Sequence, residues 1–177
     1  MRREQLEHLI RAAAIISEDD EIIVIGSQAI LGQFPEAPAD LLVSMEADLY
    51  PKNEPTRADL IDGSIGEGSP FHRTFGYYAQ GVGPRTAVLP RGWNERLIAV
   101  RTPGTRGATG LCLEVHDLVV SKLVAGRGKD VQFVSAALRH GLVKMPTLRE
   151  RLAQTDLEPQ QRAAVTTRLQ RVLDEPS

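Results

Sequence analysis

The chain has 177 residues, enough for one domain that buries most of the surface its unfolded form exposes, so a core needs no disulfide staples. Its 21 Lys and Arg against 23 Asp and Glu leave a net charge of -2, which excludes a general electrostatic pull toward nucleic acid and argues for a small substrate. The single cysteine excludes an intrachain disulfide, no apolar run reaches the ~18 residues of a membrane span, and Met1-Arg2-Arg3 leads into an amphipathic segment, not a signal-peptide core; a soluble, cytoplasmic protein is expected.

Leu6, Leu9, Ile10, Ala13 and Ile16 recur at helical spacing, which predicts an amphipathic first helix over residues 4–16, ended by the acidic stretch 18–21. Ile22 to Ile25 is a continuous β-branched run ending at Gly26 and reads as a strand buried on both faces. Ser27 is then placed to cap a short helix over residues 28–33, closed by Pro35 and Pro38. Residues 40–50 resume an extended pattern that stops at Pro51. A short helix and a flexible, Gly-rich loop bordering a cleft are expected over residues 56–69. Residues 77–89 and 97–102 read as strands around the turn Pro90-Arg91-Gly92, with Trp93 packing over an edge. Leu111 to Val115 is a further strand, in which Cys112 between two leucines is a buried residue and not a nucleophile.

The remainder is helical: residues 116–125, then 129–140 after the interruption at Gly126 and Gly128, with Gly141 as a C-terminal cap, then 148–154 and 159–173. The order of helix, mixed sheet and helices defines an α+β fold, with a main unit over residues 1–145 and a C-terminal helical extension over residues 146–177 packed on it.

Glu46 and Asp48 lie two apart on a predicted strand and therefore project to one face. Two readings stand: the solvated face of an amphipathic strand, or a pair of hard oxygen ligands suited to Mg²⁺, which takes one or two carboxylates and leaves the rest of its shell to water and substrate phosphates. Gly26-Ser27 is either a strand-to-helix connection with a capping serine or a phosphate cradle, Gly26 allowing close approach and Ser27 donating a hydrogen bond. Lys122, Arg127, Lys129 and Asp130 form either a solvated surface or, if the glycines fold the chain back on itself, a group facing a triphosphate. His72 and His116 have no partner at zinc spacing, and the stretch 63–68 lacks the lysine of a P-loop.

Three of these motifs, in this order, resemble the polymerase-β-type nucleotidyltransferase superfamily, and within it the AbiEii-like and related bacterial nucleotidyltransferase-like proteins. Val24-Ile25-Gly26-Ser27-Gln28-Ala29-Ile30 is similar to the glycine-serine motif, Ser44-Met45-Glu46-Ala47-Asp48-Leu49 to the acidic motif, and residues 117–130 to the later lysine motif with its Lys129-Asp130. The resemblance covers roughly residues 20–140. It implies that Glu46 and Asp48 bind Mg²⁺, that Gly26, Ser27, Lys122 and Arg127 hold the phosphates of an NTP, and that Asp130 is the later acidic residue of the catalytic set. It implies in-line attack of a hydroxyl on the α-phosphate, the acceptor being RNA, a protein or a small molecule, in a toxin-antitoxin or phage-defence setting with a cognate partner protein and no membrane. Glu46 stands where an aspartate is usual, and Gln80 is the polar candidate where many members carry a third carboxylate. A fold without turnover, serving as an antitoxin, a sensor or another partner- or nucleotide-binding module, is the alternative.

Overall fold

The computed structural model describes residues 1–174, so the last three residues of the expected C-terminal extension lie outside the described residues. The chain opens with α1 (Arg3–Ser17), whose Leu6, Leu9, Ile10 and Ala13 are fully buried, and which ends at Glu18 in the left-handed conformation. A five-stranded sheet follows, built from β1 (Glu21–Val24), β2 (Glu46–Pro51), β3 (Tyr78–Gly81), β4 (Ile98–Val100) and β5 (Thr109–Cys112) in the spatial order β3-β2-β1-β5-β4. β1 runs antiparallel to β2 and parallel to β5, β2 parallel to β3, and β4 antiparallel to β5. The sheet is mixed and flanked by helices, as the α+β reading requires.

The pairing register sorts the two faces. Val24 lies opposite Leu49 and Cys112, and Leu49 opposite Gly81, so these four share one face. There Gly110, two residues before Cys112, leaves room for Ile10 of α1, and α2 (Ile30–Gln33) brings Gly32 against Cys112. The opposite face, by the same alternation, carries Glu46 and Asp48 beside Tyr78 and Gln80.

Three expected strands are shorter than their sequence pattern: the one over residues 97–102 pairs only as β4, the other two are β2 and β3, and the strand expected over Leu111–Val115 is displaced to Thr109–Cys112, with Val115 in the helix that follows. Residues 39–41 form a 3-10 turn and β2 begins only at Glu46, whose N–H is drawn to the Ser44 hydroxyl at 3.1 Å. β3 stops at Gly81, where the Ala58 carbonyl of α3 (Ala58–Ile65) fills the space a side chain would occupy, and Pro84 then opens a further 3-10 turn. The stretch 63–68 is not a loop bordering a cleft: Gly63 to Ile65 complete α3, and the rest leads into α4 (Pro70–Phe75), a helix with Ser69 as N-cap and Gly76 as its left-handed terminus.

The C-terminal helices carry the rest of the core. α5 (Val115–Ala125) is capped by the Glu114 side chain, which accepts from the His116 N–H at 2.9 Å, and stops at Gly126 with φ +64°. α6 (Gly128–Arg139), α7 (Met145–Ala153) and α8 (Pro159–Asp174) each pack on α5 or α6, and Arg168 of α8 donates to the last carbonyls of α5, 2.8 Å from Leu123 O. Cys112 is buried as expected, and its thiol is pushed up to about 12 by burial. His116 is structural: Nδ1 lies 2.7 Å from Glu114 Oε1 and Nε2 accepts from the Lys144 N–H at 2.9 Å. Among the described residues no helix is long and apolar enough to cross a membrane.

Candidate functional site

A cleft of about 500 Å³ opens between the carboxylate face of β2 and the start of α6. Ser27, Glu46 and Asp48 line one side, and Lys122, Arg127 and Lys129 the other. A smaller lobe of about 120 Å³ continues past Asp48 and Lys122 to Gly26, under the segment 86–88.

β2 supplies the acidic wall. Burial first, and the neighbouring Glu46 carboxylate second, push Asp48 up from 3.8 to about 6, while Lys122 and Lys129 pull it back. Among the described residues no three His, Cys, Asp or Glu side chains gather around one point, so the donor set here is the Glu46 and Asp48 pair. Hard oxygen donors in that number, with a basic wall opposite for phosphates, fit Mg²⁺.

Gly26 is needed for space, not for conformation. Its φ of -70° is open to any residue, but a Cβ there would lie 2.0 Å from Asp48 Oδ2. The close approach this glycine permits is therefore that of the Asp48 side chain. Gly26→Ala is expected to displace the Asp48 carboxylate and to weaken by tenfold or more any ligand which that carboxylate holds, with the fold retained because the atoms in the way belong to a side chain and not to the backbone. Calorimetric titration beside a thermal melt measures both.

Ser27 begins a 3-10 turn (Ser27–Ala29) with Gly26 as N-cap, and no side-chain cap is formed. The expected capping role is thus absent: Gly26, which has no side chain, stands at the N-cap, and Ser27, one position inside the turn, lines the cleft.

The basic wall is organised by Asp130. This wholly buried carboxylate accepts from Lys122 Nζ at 3.0 Å and from Arg127 Nε at 2.7 Å, the glycine turn at 126 having folded α6 back against α5. Burial raises its pKa, but the hydrogen bonds from Arg127 and Lys122 outweigh that, and the carboxyl lies below its usual range. Lys122 is itself buried, its ammonium 5.7 Å from the Phe133 ring centroid. Asp130 faces these two cations and does not line the cleft, whereas the exposed Lys129 does.

Tyr78, which sequence reasoning passed over, donates from Oη to Glu46 Oε2 at 3.1 Å, and burial together with that acceptor pushes its phenol up to about 12. The facing position opposite Asp48 is Gln80, an exposed amide on the cleft wall.

A five-stranded mixed sheet flanked by helices, with two carboxylates on β2 facing a glycine-serine turn and a lysine-arginine wall, defines a nucleotidyltransferase-like protein. The profile of a family described as nucleotidyltransferase of unknown function (DUF6036) matches residues 4–171, and the chain belongs to that family. No curated protein and no solved structure matches the chain.

Proposed function

We propose that this chain is a Mg²⁺-dependent nucleotidyltransferase that moves a nucleoside monophosphate from an NTP to a hydroxyl acceptor. The observation that carries the reading is the meeting, in one cleft, of Glu46 and Asp48 with Ser27, Lys122, Arg127 and Lys129 in a member of a nucleotidyltransferase family. The AbiEii-like affinity, a toxin-antitoxin or defence role in a bacterial cytoplasm, and an RNA or protein acceptor belong to this proposal as its context.

Glu46 and Asp48 are the groups that would hold Mg²⁺, which would supply charge neutralisation at the phosphate oxygens. Lys129 and Arg127 present donors to the β- and γ-phosphates, and Ser27 offers a hydroxyl to the same group. Lys122 adds a fixed positive charge behind them, and Asp130 holds both Lys122 and Arg127 in register. An acceptor oxygen forms the new bond to the α-phosphorus as the bond to the bridging oxygen of pyrophosphate breaks. Of the cleft carboxylates, Asp40 is occupied by Arg139 at 2.7 Å and His140 at 3.1 Å, and Glu46 and Asp48 are the pair that would hold Mg²⁺, which leaves the acceptor's proton to solvent.

Incubation of the protein and Mg²⁺ with each α-³²P-labelled NTP and a cell extract is expected to give covalent label on one acceptor class above that of the extract alone, and γ-labelled NTP to add none above the extract alone. The second reading, a nucleotide- or partner-binding module without turnover, is favoured by Gln80, an amide that cannot take a proton where a carboxylate could. Tight Mg²⁺-NTP binding with no transfer to any acceptor is the result that would select it.

A further inference from the structure

We infer that Tyr78 is a positioning residue for the Glu46 carboxylate, held in place by His72 and the turn that starts α4. The inference rests on the reading of Glu46 as a ligand for Mg²⁺. Glutamate carries one more rotatable bond than aspartate, so its carboxylate needs an external hold to meet a cation at a defined point. The parallel register sets Tyr78 directly beside Glu46 on the same face, and the phenol O–H donates to Oε2 at 3.1 Å. That bond occupies one carboxylate oxygen and leaves Oε1 to turn toward the cleft that Glu46 lines.

The support continues one step back. The His72 ring lies against the Tyr78 ring with centroids 4.6 Å apart. His72 is locked in turn, its Nδ1 accepting from the Gly68 N–H at 3.0 Å and its N–H donating to the Ser69 hydroxyl at 3.1 Å. Arg73 donates to the Gly68 carbonyl and closes the same turn. The chain of contacts runs from the Gly68-Ser69 turn through His72 and Tyr78 to Glu46, and it assigns to the 66–72 segment a role that its glycines and serine do not advertise. Groups that orient a metal ligand in this manner are worth about ten- to a hundredfold in metal affinity.

The test is Tyr78→Phe, which keeps the ring against His72 and removes only the hydroxyl. Binding of Mn²⁺, followed by its paramagnetic resonance signal in the presence of whichever of four α,β-methylene NTPs the parent chain binds best, is expected to weaken about ten- to a hundredfold, while the melting temperature without metal stays that of the parent. In a Glu46→Ala background the same change is expected to cost nothing more. His72→Ala, which keeps the hydroxyl and removes its support, is expected to weaken binding in the same direction by a smaller factor. Unchanged Mn²⁺ affinity in Tyr78→Phe, or an equal loss with and without Glu46, overturns the positioning role while leaving the transferase reading intact. A parent chain that binds no Mn²⁺ with any of the four analogues overturns both.

Discussion

Asp48→Asn is expected to yield a protein that is more stable than its parent in the absence of ligand and that has lost Mg²⁺-nucleotide binding. Asp48 is raised from 3.8 to about 6, chiefly by burial and then by Glu46, so the folded state prefers its protonated form. Its stabilising contribution is complete below 3.8 and is lost as the pH climbs through about 6. At neutral pH the ionised carboxylate is a cost that the amide does not carry. A shift of this size corresponds to roughly 3 kcal/mol if undiminished; Asp48 keeps some contact with solvent, and about 1–2 kcal/mol is expected after that discount. For a chain of this length the variant's melting temperature should stand a few degrees above the parent's at pH 7.5 and converge with it near pH 4. Transfer activity should fall by about a hundred- to a thousandfold, because the amide does not attract a cation. A gain in stability beside a loss of function is the signature of a residue kept for chemistry. Thermal unfolding of both proteins across pH 4–8 measures it, and a parent that is the more stable of the two at pH 7.5 would contradict the assignment.

Asp130→Ala should have the largest effect in the other direction. The carboxylate is wholly buried and neutralises Lys122, whose side chain is only 8% exposed, so its removal strands an ammonium in the interior. Losing one partner of such a pair costs about 3–5 kcal/mol, which corresponds to a fall of roughly 6–20 °C in melting temperature. Arg127 adds little to this sum, since its side chain is 62% exposed and already well solvated. Because the Asp130 carboxyl is held below its usual range, its contribution is present above the unfolded value and disappears as the pH falls through the folded one; the gap between parent and variant should shrink on acidification. Replacing both partners, Lys122→Met with Asp130→Leu, should restore much of the stability while leaving nucleotide binding impaired. If the double variant melts as low as Asp130→Ala, the stranded-charge explanation is wrong.

These two carboxylates also mark how far the sequence can be read. Glu46 and Asp48 were legible because a strand has period two, and the β-branched run before Gly26 announced a central strand buried on both faces. The return of Asp130 to Lys122 was legible as an option, since glycines at 126 and 128 permit a turn; that the turn is taken depends on Arg168 and the packing of α8 against α5. The late start of β2 goes with a local bond from the Glu46 N–H to the Ser44 hydroxyl, whereas the Ala58 carbonyl against Gly81 at the end of β3 is a tertiary contact that local pattern does not carry. Ser69-Pro70 before Phe71 did carry a helix-start signal for α4, a serine N-cap with proline in the first turn. Tyr78 and the true use of Gly26 left no mark in local pattern, because one depends on inter-strand register and the other on the space between a turn and a neighbouring strand.

The proposed Mg²⁺-dependent nucleotide site sets Glu46 and Asp48 against the basic wall opposite. Its most direct test is thermal unfolding of the parent chain and of Glu46→Ala/Asp48→Ala with each of the four NTPs, with and without Mg²⁺. Ligand at a hundred times its dissociation constant adds about 2.7 kcal/mol, which for this length is a rise of roughly 5–10 °C. Such a rise is expected for at least one nucleotide, dependent on Mg²⁺ and absent from the double variant. A parent that no Mg²⁺-NTP stabilises, or a rise that survives the loss of both carboxylates, would contradict it.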